Sequence, residues 1–111
     1  MIYKLHITKK AEDDMQAAAD YIEFTLFNPQ AADNLLDKAE QEIGGLANSP
    51  YTHQLVCDPF LNALGIRFVL VNDYIAFFLI DEEEKTVYIV RFLYEKRNWI
   101  QILKDETISL L

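Results

Sequence analysis

The basic residues of this chain gather around a tyrosine near its C-terminal end. Residues 87–99 read VYIVRFLYEKRNW and include Arg91, Lys96 and Arg97, with Tyr94 among them. A guanidinium group is planar and permanently charged, so it fits the paired oxygens of a phosphate or a carboxylate. A phenol can donate or accept a hydrogen bond beside such a group. The stretch is therefore a candidate anion-binding site.

The rest of the chain has the opposite charge. Its 111 residues contain 10 Lys+Arg and 18 Asp+Glu, which gives a net charge of −8. Residues 9–46 contain nine acids and three lysines, whereas residues 85–104 contain five basic residues and one acid. General affinity for nucleic acid is not expected, because it depends on neutralising phosphates. Any anion site should lie toward the C-terminal end.

Length and composition predict a single domain over residues 1–111. Cys57 is the only cysteine, so it cannot form an internal disulfide and we interpret it as a small filler residue. The longest apolar run, YIAFFLI at 74–80, is far shorter than the roughly 20 residues of a membrane span. The first residues contain no cleavage site of a signal peptide. We therefore expect a cytoplasmic protein that is not bound to membranes.

The first half of the chain predicts a strand followed by two helices. Residues 2–7 alternate between polar and apolar types, as in a strand. Thr8 suits a helix N-cap, and Asn28 followed by Pro29 suits the start of a second helix. The apolar positions of both helices recur at helical spacing: Met15, Ala18, Ile22 and Leu26 with Tyr21 beside them, then Ala32, Leu35, Leu36, Ala39, Ile43 and Leu46. The short connection predicts a helical hairpin.

The second half predicts three strands in a meander. Residues 51–63 show no regular pattern, and strands follow at 65–71, 74–80 and 86–94. Asn72 and Asp73 suit a two-residue turn, and the apolar run at 74–80 suits a central strand. A short helix is expected from Lys96, with Trp99, Ile100 and Leu103 turned inward. The fold class is α+β, in the order β-α-α-β-β-β(-α), with a mostly antiparallel sheet and the helical hairpin on one face.

This order and these motifs resemble the RelE/ParE superfamily of bacterial toxins, also known as plasmid stabilisation proteins. The resemblance covers roughly residues 2–104 and rests on four stretches: 7–22, 28–50, 65–94 and the KRNW at 96–99. It implies the toxin of a type II toxin–antitoxin system, held inactive by a cognate antitoxin. RelE-like members cut mRNA on the ribosome without metal or cofactor. ParE-like members share the fold and poison DNA gyrase.

The resemblance also implies roles for individual residues. RNA cleavage through the 2′-hydroxyl needs a base, an acid and fixed cations around the phosphorane. The catalytic members use arginines that match Arg67 and Arg91, and a Tyr or His that matches Tyr94. Arg97 matches a further basic position, and Lys96 and His53 are candidates for phosphate or RNA binding.

Structural explanations for these residues stay open. Arg67 could simply lie on an open sheet face, and Arg91 could be neutralised by a helix carboxylate, since it shares a predicted strand face with Val87, Ile89 and Leu93. Tyr94 would lie on the opposite face of an unbroken strand, so a break near Leu93 is needed to bring it to Arg91.

The chain also departs from the RNA-cutting members, which are basic overall. Residues 51–66 contain no Lys or Arg at all. The sequence favours a RelE-like endonuclease or a weakened relative. A gyrase-binding toxin, or a decayed toxin that binds only its antitoxin, stays open as an alternative.

Overall fold

The computed structural model describes residues 2–109, which form a four-stranded sheet covered on both faces. The strands are β1 (Lys4–Ile7), β2 (Arg67–Val71), β3 (Tyr74–Asp81) and β4 (Thr86–Tyr94). Their order across the sheet is β1-β4-β3-β2. β2, β3 and β4 form the predicted antiparallel meander, while β1 pairs with β4 in parallel. The predicted fold class is confirmed.

The helical hairpin packs on one face of the sheet. α1 (Lys9–Asp20) begins after Thr8, whose hydroxyl accepts a hydrogen bond from the Ala11 amide, and α2 (Pro29–Gly45) begins after Asn28, whose side chain caps it similarly. Both predicted N-caps are confirmed. The buried stripe of α2 packs with Val69, Phe78 and Ile89 of the sheet.

The predicted stripe of the first helix fails at its C-terminal end. Leu26 and Tyr21 are 54% and 52% exposed, whereas the prediction placed both on the core side. Residues Tyr21–Thr25 form a π-turn, in which the Leu26 amide bonds the Tyr21 carbonyl. The wider turn adds a residue and rotates the following side chains away from the core.

The opposite face of the sheet is covered by the later part of the segment that precedes β2, residues 56–66, and by the C-terminal helix. A 3₁₀ turn at Pro50–Thr52 and a short helix, α3 (Pro59–Ala63), lie in the segment predicted to be irregular. Asp58 caps α3 and Pro59 occupies its first turn, so a sequence signal for this helix existed. α4 (Trp99–Ser109) begins three residues later than predicted and buries Leu103 against Phe77 and Leu93.

Within residues 2–109, no helix is long and apolar enough to cross a membrane.

Candidate functional site

The position of Arg91 is set by a β-bulge in β4. Phe78 of β3 pairs with Ile89, but Phe77 pairs with Arg91, so Val90 is an extra residue. The bulge reverses the alternation and places Arg91 on the face of Phe77, opposite Ile89. The prediction that Arg91 shares a face with Val87 and Ile89 is therefore wrong.

Two carboxylates from two helices bind the Arg91 guanidinium. Nε and Nη2 donate to the two oxygens of Asp14 at 2.6 and 2.9 Å, and Nη1 donates to Glu106 of α4. Only 13% of the Arg91 side chain is exposed. The hydrogen bonds to Asp14, more than any other contact, raise the pKa of Arg91 above its ordinary value. The cation is neutralised within the protein.

Asp14 also binds the backbone of β4. Its Oδ2 accepts a hydrogen bond from the Phe92 amide at 3.0 Å. This amide lies beyond the end of β1, which pairs with β4 only as far as Ile89. Asp14 therefore fills the gap at the strand edge and orients Arg91 at the same time. Sequence analysis missed this residue, although it lies between Ala11 and Ala18 on the stripe that faces the core, where an acid needs a partner.

Arg67 lies on β2, on the face of the sheet opposite to that of Arg91. It pairs with Phe78 and lies on the side of Val69 and Val71, which face the helical hairpin. Its Nη1 donates to the His53 carbonyl at 2.6 Å, and its guanidinium lies 5.1 Å from the centre of the Tyr51 ring. The His53 ring itself packs edge-on against Phe78 at 6.0 Å.

The Tyr51 ring is held by a polar cluster around Glu82. Glu82 accepts hydrogen bonds from the hydroxyls of Tyr51 at 2.6 Å and Tyr3 at 3.0 Å, and pairs with Lys85. The cluster joins the residue that precedes β1, the 3₁₀ turn and the turn between β3 and β4. The hydrogen bond to Glu82 therefore fixes the Tyr51 ring, which the Arg67 guanidinium contacts.

We expect the contribution of Glu82 to stability to be lost in acid. The hydrogen bonds from Lys85 and then Tyr51 lower the pKa of Glu82 from 4.5 to about 2. Because the folded-state pKa lies below the unfolded one, this contribution is present above about pH 4.5 and disappears as the pH falls toward about 2. The difference in unfolding free energy between the parent and Glu82→Gln, measured with urea, should shrink across this range.

The matched control is Glu83→Gln, which removes a neighbouring exposed carboxylate of the same turn. A difference between the parent and Glu82→Gln that stays constant from neutral to acid pH would contradict the role of this cluster.

Tyr94 and Arg97 line a third region, a groove of about 570 Å³ between the π-turn and the ends of β3 and β4. The Tyr94 ring lies edge-on to Tyr74 at 5.6 Å, and Tyr74 stacks on Phe92 at 5.2 Å. Burial is the main cause that raises the pKa of Tyr74. Arg97 and Lys96 are exposed in the turn that precedes α4, rather than in the helix as predicted.

The structure thus does not bring the predicted catalytic residues together. On β3, Tyr94 pairs with Tyr74 and Arg67 pairs with Phe78. These two β3 positions are four residues apart, so they are separated by about 13 Å along the strand. Arg67 and Arg91 lie on opposite faces, each with its own partners. The shared phosphate site expected for them is therefore absent from residues 2–109, and the catalytic roles stay predictions. The break in alternation occurs at Val90, not near Leu93.

No group of three or more His, Cys, Asp or Glu residues suited to a metal ion occurs within residues 2–109.

The fold is shared with solved toxin structures. A chain of the chromosomal ParDE system from P. aeruginosa is 20% identical with a TM-score of 0.67, over 84% of this chain and 96% of the other. A chain of a RelBE toxin–antitoxin complex from Mycobacterium tuberculosis is 20% identical with a TM-score of 0.59, over 85% and 99%. A free mutant of E. coli RelE is 10% identical with a TM-score of 0.61, over 91% and 92%.

These similarities define the class of the fold, that of the RelE and ParE toxins. Residues 5–99 match the family model described as the ParE toxin of the type II toxin–antitoxin system, parDE. The chain belongs to this family, and it is a toxin of a type II toxin–antitoxin system. No curated protein sequence matches the chain.

Proposed function

We propose that this toxin acts by binding a protein target, in the manner of the ParE-like toxins that poison DNA gyrase, rather than by cutting RNA. The observation that carries the proposal is the engagement of Arg91 by Asp14 and Glu106. A guanidinium that already binds two carboxylates cannot also stabilise a phosphorane without losing them. The family description, which names ParE, supports the same choice.

The charge of the protein also supports binding without RNA cleavage. A net charge of −8 repels a phosphate backbone, and residues 51–66 supply no cation near Arg67. The groove at Tyr94 is lined mainly by tyrosine and aliphatic side chains. Aromatic residues of this kind are common at the centres of protein–protein interfaces.

We further propose a cognate antitoxin as the partner that holds the toxin inactive. Similar solved structures include a ParDE system and RelBE toxin–antitoxin complexes, so partners of this kind bind proteins of this fold. Action on gyrase would take place in the cytoplasm.

One observation favours the endonuclease as a second candidate. Tyr94 and Arg97 line the same groove, so a phenol and a guanidinium are near each other on an open surface. Such a pair could transfer a proton and bind a phosphate. The ribosome and mRNA would then be the partners.

A growth experiment separates the two functions. Induced expression without the adjacent gene, where the antitoxin of such a system is expected to be encoded, should arrest growth, raise the DNA-damage response and leave mRNA intact. Messages cut within ribosomal A sites, with the cuts lost in Tyr94→Phe and Arg97→Ala, would establish the endonuclease instead. Normal growth at high levels of folded protein would contradict both and favour a decayed toxin.

A further inference from the structure

Large apolar side chains are exposed where the two helices of the hairpin meet. We call this region the hairpin tip. Its side chains are between 52% and 86% exposed, and they are Tyr21, Phe24, Leu26 and Phe27. Exposed apolar side chains that occur singly are ordinary, but a contiguous group of them marks an interaction site.

The backbone of the hairpin tip is held in an unusual conformation. The π-turn at Tyr21–Thr25 is followed by Phe27 with a φ of +55°. A bulky residue rarely adopts this left-handed conformation, because its Cβ then crowds the backbone. The Asn28 amide bonds the Ile22 carbonyl at 3.1 Å and secures the turn. The strain directs Phe27 into solvent, and strain of this kind is found most often at functional sites.

The hairpin tip borders the groove that contains Tyr94. Tyr21 and Leu26 belong to both, and Ile22, Ala31 and Tyr74 extend the apolar lining. Asn28, Asp73 and Arg97 contribute polar groups. An apolar trough with polar groups beside it suits the apolar face of a helix, which inserts side chains at positions i, i+3, i+4 and i+7.

Charge indicates which partner fits. The hairpin tip and the groove are formed by residues 21–31, 73–74 and 94–97, which carry two cations, Lys96 and Arg97, against three carboxylates, Glu23, Asp73 and Glu95. The adjoining helix residues add the exposed carboxylates of Asp20 and Asp33. A second copy of this chain, with a net charge of −8, would be repelled. A partner with a positive charge would be attracted, since complementary charges favour association.

We propose that the hairpin tip and the groove bind an amphipathic, net basic helix of the antitoxin. This inference rests on the proposed antitoxin partner and adds the place and the chemistry of its contact. Phe24 and Phe27 supply the apolar anchors. The carboxylates in and beside this surface favour a basic helix over an acidic one.

The binding test uses two synthetic amphipathic helices, one of leucine and lysine and one of leucine and glutamate. The basic peptide should bind and shift the amide NMR signals of residues 21–31, Tyr74 and Tyr94, and the acidic peptide should not. Equal binding of both peptides would overturn the charge argument. Shifts confined to the outer acidic faces of α1 and α2 would overturn the proposed place.

The variant Phe24→Ser/Phe27→Ser should lower the affinity for the basic peptide roughly ten-fold or more, as for an interface anchor. Leu70→Ser is the matched control, because Leu70 is 55% exposed on β2, and it should change the affinity less than about two-fold. Circular dichroism shows whether both variants are folded. Self-association of the parent that the double variant abolishes, seen by sedimentation, would assign the surface to a second copy instead.

Co-expression separates this inference from the proposed function. If the toxin arrests growth and the product of the neighbouring reading frame relieves the arrest, the double variant should still arrest growth but be relieved poorly. Full relief of the double variant would overturn the inference and leave the toxin activity intact. A parent that does not arrest growth contradicts the proposed function alone, because the peptide experiment does not depend on toxicity.

Discussion

Arg91→Ala is expected to lower the free energy of unfolding by about 3 kcal/mol, because removing one partner leaves a poorly hydrated charge unpaired. Asp14 is only 14% exposed, and it would keep its hydrogen bond from the Phe92 amide but lose the guanidinium. Glu106 would lose its link to β4, so α4 would be less firmly held. Urea denaturation followed by circular dichroism measures the change.

Two further variants test the reason for this loss. Arg97→Ala removes an exposed arginine of the groove and should change stability by less than about 0.5 kcal/mol. Arg91→Ala/Asp14→Asn should recover about 1 kcal/mol relative to Arg91→Ala, because an amide oxygen still accepts from Phe92 without leaving a charge unpaired. An Arg91→Ala protein as stable as the parent would contradict the stabilising role of these ion pairs. It would also remove the main argument against a catalytic role for Arg91.

Phe77→Ala is expected to cost about 3–5 kcal/mol and to release the start of α4 from the sheet. The Phe77 ring is fully buried, and its centre lies 5.0 Å from that of Trp99. Trp99 is the single tryptophan of the chain, so its fluorescence reports on this contact. In the folded variant, we expect the emission to shift to longer wavelength as the indole becomes hydrated.

Phe78→Ala provides the control, because Phe78 is equally buried on the opposite face beneath the helical hairpin. It should cost a similar free energy of unfolding while leaving the Trp99 emission of the folded protein unchanged. The same spectral shift in both variants would mean that the two faces do not respond independently.

Local signals in the sequence predicted most of the elements. Thr8 and Asn28 marked the starts of the two long helices, and Asn72, which has a φ of +54°, marked the turn between β2 and β3. The continuous apolar run of β3 indicated its central position, which is confirmed by its place between β4 and β2. These features depend on residues near one another in the chain, so they can be read without coordinates.

The candidate site could not be predicted in the same way. The faces of Arg91 and Tyr94 depend on the bulge at Val90, which arises from pairing with β3 and has no glycine to mark it. The partners of Arg91 are Asp14 in α1 and Glu106 in α4. Only the folded chain brings these two helices to the same strand, so the pairing cannot be read from the sequence. The π-turn was missed for a related reason, because the helical spacing of apolar residues continues through it to Leu26.

The parallel pairing of β1 with β4 has a consequence for biosynthesis. Lys4 of β1 pairs with Thr86 of β4. β1 is therefore synthesised first but can join the sheet only after β4, the last strand, has been synthesised. Closing so long a loop is slow, because the chain loses entropy before the distant contact forms. The Asp14–Arg91 pair has the same dependence. During synthesis the sheet therefore cannot be completed until β4 has been made, so most of this chain must leave the ribosome before β1 finds its place.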